Sequence, residues 1–114
     1  MARAKIPGPL ERRHFVEGKL GSAQALRYAE AYLAEGRRME AIDFLRLAGA
    51  SEQLQALRRE AVESGDVFLL RSVATAIGAE PERAEWLAVA EAAAAAGKDR
   101  YAVEARRQAD RGED

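Results

Sequence analysis

Apolar side chains recur every three or four residues along most of this chain, and no segment shows the two-residue alternation of a β-strand. This spacing places the apolar residues on one face of an α-helix. Five glycines interrupt the pattern, and glycine commonly ends a helix because it adopts positive φ without a steric penalty. We therefore predict helices at residues 22–35, 38–48, 51–64, 66–77, 81–96 and 99–111, with a short one near 9–18.

Residues at the predicted helix ends support these boundaries. Ser22, Ser51 and Asp66 stand where N-caps are expected, because their side-chain oxygens can accept a hydrogen bond from a free N–H of the first turn. Pro81 stands in a first turn, where its missing N–H is not needed. At the other ends, Gly36 and Gly65 are expected to adopt the left-handed backbone conformation.

The glycines and the apolar positions also repeat. Residues 22–50 and 51–79 align without a gap, each unit being 29 residues long. A fixed period of this kind indicates a stack of similar supersecondary units. The identical pairs in the two units are Ser22/Ser51, Gln24/Gln53, Gly36/Gly65, Gly49/Gly78 and Ala50/Ala79.

A third unit follows at residues 80–111, and its second helix is more polar. Arg100 occupies the position that Met39 and Phe68 hold in the first two units. A polar outer helix is typical of the terminal unit in a repeat protein, so this helix is predicted to be a cap. The predicted organisation is an N-terminal arm with a short helix at 1–21, a helical repeat domain at 22–111 and a tail at 112–114.

Together these patterns predict an all-α fold of stacked antiparallel helical hairpins, either a short α-solenoid or bundle-like. Alanine contributes 26 of the 114 residues, which indicates closely packed helices. We expect one continuous core across adjacent hairpins. It is predicted to contain Leu26, Tyr28, Leu33, Ile42, Leu45, Leu57, Val62, Leu69, Val73 and Trp86.

The hairpins resemble known helical repeats. The first unit is similar to the tetratricopeptide pattern of large, small, Tyr, Gly, Ala, large and Ala, at Tyr28, Ala29, Tyr32, Gly36, Ala41, Leu45 and Ala48. The second resembles a HEAT-type helix, at Asp66, Leu69, Ala76, Ile77 and Gly78. The resemblance implies a protein-binding scaffold, with a groove formed by the first helices of successive hairpins.

Composition gives little indication of catalysis. The chain has no cysteine and one histidine, His14, without a recognisable nucleophile beside it. Glu11, His14 and Glu17 have a metal-like spacing, but a di-metal site in a bundle needs two such segments, so a solvated helix with a local Glu–His pair is the favoured interpretation. We expect no enzyme, cofactor or metal. The lack of cysteine and of an apolar leader or membrane segment favours a cytoplasmic protein.

Two functional hypotheses follow. The 18 basic and 19 acidic residues nearly balance, which favours a protein-interaction module over a general polyanion binder. Its expected contacts lie on the outward sides of the first helices, at Arg27, Glu30, Arg58, Arg59 and Glu91. The alternative is a nucleic-acid-associated adaptor that uses the basic N-terminal arm, with Arg3, Lys5, Arg12 and Arg13, and the arginine doublets Arg12-Arg13, Arg37-Arg38, Arg58-Arg59 and Arg106-Arg107.

The aromatic residues have two interpretations. They either line a groove for a partner peptide or pack in the core, and their positions on apolar helix faces favour the core. Self-association of the chain is left open. The residues concerned are Tyr28, Tyr32, Trp86 and Tyr101.

Overall fold

The computed structural model describes residues 21–111, and this part of the chain is all-α. Six helices follow one another, and all six were predicted to within two residues at each end. Their bounds are α1 Ser22–Ala34, α2 Arg38–Ala48, α3 Ser51–Ser64, α4 Val67–Ile77, α5 Arg83–Ala95 and α6 Asp99–Arg111. The predicted short helix near 9–18, the Glu11/His14/Glu17 spacing, most of the N-terminal arm and the tail at 112–114 lie outside the described residues.

One predicted N-cap is confirmed. Asp66 has an extended backbone (φ −94°, ψ 92°), and its carboxylate accepts a hydrogen bond from the N–H of Leu69 at 3.0 Å. The contact satisfies one of the N–H groups that the first turn of α4 leaves unpaired. Caps of this kind contribute about 0.5–2 kcal/mol to stability.

The N-cap predictions for Ser22 and Ser51 and the first-turn position of Pro81 are wrong by one or two residues, although residues 22 and 51 are the first helical residues as predicted. The carbonyl of Gly21 accepts the first hydrogen bond of α1, which makes Ser22 a helical residue and leaves the helix without a side-chain cap. In the same way the carbonyl of Ala50 accepts the first hydrogen bond of α3, from the N–H of Leu54, so Ser51 is already a helical residue. Pro81 lies two residues before α5 instead of in its first turn, because the chain is still extended at the intervening residue.

Every helix from α1 to α5 ends at a glycine with positive φ, between 66° and 81°. Gly36 and Gly65 are among them, which confirms the prediction for both. In each turn the glycine N–H bonds the carbonyl three residues back, and the next N–H bonds the carbonyl five residues back. This is the Schellman arrangement, which satisfies the last carbonyls of a helix while it reverses the chain. Its recurrence explains how a repeated sequence gives repeated hairpins.

The described chain forms two compact units, divided between Leu54 and Gln55. In the first unit, α1 packs against α2. The ring of Phe44 is stacked on Tyr32, with centroids 5.6 Å apart, and also contacts Tyr28 at 5.6 Å. Because Tyr32 and Phe44 are fully buried, these rings form the centre of the hairpin.

The second unit contains two hairpins, and their equivalent helices lie together. Arg58 of α3 pairs with Glu85 of α5. Lys98, in the turn before α6, donates a hydrogen bond to the carbonyl of Ser64 at 2.9 Å, which places the two hairpin turns side by side. The second helices, α4 and α6, also contact each other. Hairpin stacking, predicted from the repeat, is therefore present within this unit.

The turn between α3 and α4 lies directly against α5. A Cβ added to Gly65 would lie 2.5 Å from the backbone nitrogen of Ala93 and 2.6 Å from its Cα. Gly97 is the equivalent residue of the next hairpin, and a Cβ there would meet nothing within 4 Å. The close approach at Gly65 is possible because neither side presents a side chain larger than a methyl group.

Most of the predicted core is confirmed. Leu26, Tyr28, Leu33 and Val62 are half-buried, whereas the remaining six predicted residues are buried. The predicted continuity of the core along all three hairpins stays a prediction. Fully buried residues that the predicted core omitted include Phe44, Val67, Leu70 and Val89, together with many alanines.

Between residues 21 and 111, no helix combines the length and the apolar character that crossing a bilayer requires.

Candidate interaction surface

The large apolar side chains that remain exposed within the described residues lie on equivalent helices of the hairpins. Met39, Phe68 and Val103 are 47%, 48% and 57% exposed. They lie on α2, α4 and α6, each of which is the second helix of its hairpin. Within the described residues, the first helices expose no comparable side chain. The recurrence of Met39, Phe68 and Val103 at second helices is more informative than single exposed residues, because scattered exposure is normal.

Phe68 is exposed because α4 has more apolar residues than one buried face can hold. Eight of its eleven residues are apolar, and Val67, Leu69 and Leu70 already fill the interior. The ring of Phe68 turns outward and meets Tyr101 of α6 edge to face, with centroids 5.2 Å apart. The guanidinium of Arg71 lies 5.9 Å from the centre of the Phe68 ring. An aromatic pair beside an arginine is a composition typical of binding hot spots.

Glu104 orders the charges next to this pair. Its carboxylate accepts a hydrogen bond from Gln108 at 2.9 Å and one from Arg71 of α4 at 3.0 Å, and it lies 3.4 Å from Arg107. The hydrogen bond from Gln108 and then that from Arg71 hold the pKa of Glu104 below its ordinary value. Glu104 is therefore a stable anion that fixes two guanidinium groups at the surface.

The outward side of α6 continues this surface. We define the α6 outer face as Arg100, Val103, Arg106, Arg107 and Arg111. All five are exposed, and together with their neighbours they line two shallow, open depressions that share Val103 and Arg107. Arg100, Arg106 and Arg111 have no ion pair or hydrogen bond within residues 21–111. The predicted cap helix thus presents a basic surface with an apolar centre.

Four of the five residues predicted as partner contacts are exposed: Arg27, Glu30, Arg59 and Glu91. The first two belong to the first unit and the other two to the second unit. Whether any of them contacts a partner stays a prediction.

The expectation that Arg58 is exposed is wrong. Its side chain is only 12% exposed, and its Nε and Nη2 donate to the two carboxylate oxygens of Glu85, both at 2.7 Å. Its Nη1 donates to the carbonyl of Ala79 at 2.8 Å. The hydrogen bonds to Glu85 raise the pKa of Arg58, which is charged in any case. This arginine joins two hairpins, since its partners lie 27 and 21 residues further along the chain.

The arginine doublets do not form bare positive charge. In each of the three doublets within the described part of the chain, at least one arginine is paired with a glutamate. The pairs are Arg37 with Glu40 at 2.7 Å, Arg58 with Glu85 and Arg107 with Glu104. At least half of the charge that the nucleic-acid hypothesis assigns to these three doublets is therefore already balanced.

The aromatic residues divide between the two interpretations. Tyr32 and Trp86 are buried, which confirms the core interpretation for them, and Tyr28 is half-buried against Phe44. Tyr101 is half-buried and borders the exposed Phe68 ring. Sequence reasoning missed Phe68 as a surface residue, although its alignment with the charged Arg100 of the third unit was a usable indication.

Residues 21–111 contain no group of three or more His, Cys, Asp or Glu side chains placed to hold a metal ion. In comparisons with known proteins, no family model, curated protein or solved structure matches this chain.

Proposed function

We propose that this chain is a non-catalytic protein-interaction module whose partner contacts the second helices of the hairpins. The observation that carries the proposal is the location of Met39, Phe68 and Val103, which are the exposed large apolar residues of the described chain and all lie on second helices. Arginines flank Phe68 and Val103. Arginine and aromatic side chains are enriched in protein interfaces, whereas lysine is depleted.

The stacked hairpins also support a place among short α-solenoids, as the resemblance to tetratricopeptide and HEAT repeats suggests. The proposed surface differs from the groove that those families imply, because it lies on second helices. The absence of cysteine is compatible with the reducing cytoplasm that we propose for this protein.

Site-specific photo-crosslinking tests the proposal. A photoreactive phenylalanine analogue at position 68 or 103 is expected to capture a protein in native extract, because both side chains face solvent on the proposed surface. Position 88 is the matched control, since Ala88 is exposed on the first helix α5. Capture at 68 and 103 but not at 88 supports the proposal. Equal capture at all three positions, or none, contradicts it.

Charge variants test the surface first predicted on the first helices. Arg27→Glu, Arg59→Glu and Glu91→Arg are combined, and Arg58 is left intact because its reversal would break the pair between α3 and α5. We expect the combined variant to keep its melting temperature, because isolated surface charges contribute little to folding. If the combined variant no longer captures the partner, the contact surface lies on the first helices and not on the second helices.

The nucleic-acid alternative has its own variant. Replacing Arg3, Lys5, Arg12 and Arg13 by Ala removes the basic residues that the alternative assigns to the N-terminal arm. If this variant is the one that loses the partner, and if capture by the unaltered protein falls steeply with added salt, the N-terminal arm binds its partner by neutralising phosphates.

A further inference from the structure

We propose that the α6 outer face binds an acidic segment of a protein partner, and that one apolar side chain of this segment lies on Val103. The inference rests on the proposed function and names the chemistry of the partner. It follows from the charge of the face, the spacing of its residues and the apolar residue that the arginines flank.

Counted over the part of the chain that the structure describes, the charge of this face is positive and mostly uncompensated. The exposed residues of α6 include the arginines at positions 100, 106, 107 and 111, against two acidic residues, Asp99 and Asp110. Only Arg107 has an ion pair within the described chain, and its carboxylate partner Glu104 is shared with Arg71. Three guanidinium groups therefore have no carboxylate partner among residues 21–111, and guanidinium and carboxylate match in a planar, two-bond geometry.

Four residues of the α6 outer face form a row along the helix. Arg100, Val103, Arg107 and Arg111 follow at intervals of three, four and four residues, so they share one side of α6. With a rise of about 1.5 Å per residue, the row is about 16 Å long, or three helical turns. Arg100 lies three residues before Val103 and Arg106 three residues after it, so a partner segment can place carboxylates on both sides of one apolar side chain that rests on Val103.

The apolar centre favours a polypeptide over nucleic acid. Val103 is the most exposed large apolar residue in residues 21–111, and both shallow depressions on α6 include it. A phosphate backbone offers no apolar group to cover this side chain, and Asp110, which lines one depression, would repel a continuous row of phosphates. An acidic peptide avoids both problems, because its carboxylates can be spaced around an apolar anchor.

A synthetic 15-residue peptide tests this inference directly on the full-length protein. The peptide carries a central Leu, with Glu at the third and fourth positions on either side, and neutral residues elsewhere. Fluorescence anisotropy measures its Kd, and ¹H–¹⁵N NMR shifts locate the contact. We expect shifts concentrated in residues 99–111, and a Kd that weakens with added salt because exposed charges are screened over about 10 Å at 0.1 M.

Matched variants assign the interaction to the proposed residues. Arg100→Ala combined with Arg106→Ala should weaken the Kd about 3- to 10-fold, the sum expected for two exposed ion pairs. Val103→Ser should weaken it by a similar factor through the lost apolar contact. Arg59→Ala is the control, because Arg59 is also exposed and unpaired within the described residues but lies on α3.

Four outcomes decide the question. Binding that depends on residues 100, 103 and 106 but not on 59 supports the inference. Equal binding of a peptide with Lys in place of Glu, or shifts outside α6, overturns it. If a 15-base-pair DNA duplex displaces the peptide and produces the same NMR shifts, the ligand of this face is nucleic acid and the inference of an acidic peptide is wrong. If no peptide binds while position 103 still crosslinks a protein, the proposed function stands and the acidic chemistry fails.

Discussion

Replacing Gly65 by alanine tests the close packing of α3 against α5. Two effects act on the variant. The first is the left-handed backbone of Gly65, at φ 71°, which an alanine adopts at a net penalty of about 1 kcal/mol. The second is steric, because the new Cβ would lie 2.5 Å from the backbone nitrogen of Ala93, and backbone atoms cannot rotate away. Overpacking of this kind typically destabilises by about 1–3 kcal/mol.

Gly97→Ala separates the two effects. Gly97 has a φ of 75° and the same role at its helix end, but a Cβ there would meet no neighbouring atom within 4 Å. We therefore expect about 1 kcal/mol of destabilisation for Gly97→Ala and about 2–4 kcal/mol for Gly65→Ala. The difference between them measures the steric effect alone.

Urea unfolding followed by far-ultraviolet circular dichroism gives both free energies of unfolding. The comparison requires similar m-values, so that the midpoints report stability and not a change in the exposed surface. Equal destabilisation of the two variants, within about 0.5 kcal/mol, would refute the close approach of Gly65 to α5 and with it this part of the hairpin stacking.

Three further predictions concern individual side chains. Leu57→Ala should destabilise by about 2–5 kcal/mol in urea unfolding because Leu57 is buried, and a loss below about 0.5 kcal/mol would place it outside the core. Arg58→Ala should destabilise by about 1–3 kcal/mol, because the charged hydrogen bonds of Arg58 are mostly shielded from water. Its neighbour Arg59 is exposed, so Arg59→Ala should change the stability by less than about 0.5 kcal/mol. Equal effects of the two substitutions would contradict the structural role of Arg58. The pKa of Glu104 is lowered, first by the hydrogen bond from Gln108, so its contribution to stability is present above the ordinary carboxyl pKa and is lost as pH falls through the lowered value. Glu104→Gln should therefore reduce the loss of stability between about pH 7 and about pH 3, and an unchanged pH profile would count against this role.

The sequence was most informative where one residue determines a local conformation. Glycines at helix ends fixed the turns, because few other residues adopt positive φ. Asp66 was identified as a cap because its short side chain can accept a hydrogen bond from a first-turn N–H, which few other side chains can do. Gly21 was missed because its role at the start of α1 comes from its backbone carbonyl, which every residue possesses.

Features that depend on distant parts of the chain were less accessible. Arg58 was expected at the surface since charged residues usually lie there, but its partner Glu85 is 27 residues away and no local pattern links them. Phe68 belongs to a helix with eight apolar residues of eleven, and the neighbouring hairpin determines which of them turn inward. The aromatic pair of Phe68 and Tyr101 depends on the contact between α4 and α6, which no local sequence pattern indicates.

The attachment of α6 has a consequence for local opening. The residues that α6 buries fully are Ala102, Ala105 and Ala109, whereas α4 buries large residues such as Leu70 and Val73. Each buried methylene group contributes about 0.8 kcal/mol, so release of α6 exposes far less apolar surface than release of α4.

Amide protons of α6 should consequently exchange with solvent through a partial unfolding reaction that leaves α4 protected. Amide exchange monitored by NMR measures the two opening free energies separately. A partner bound to the α6 outer face would stabilise the closed form of this helix and slow the exchange of its amides. Because α6 is held mainly by small alanine side chains, the order of this helix should depend on whether a partner is bound to the α6 outer face.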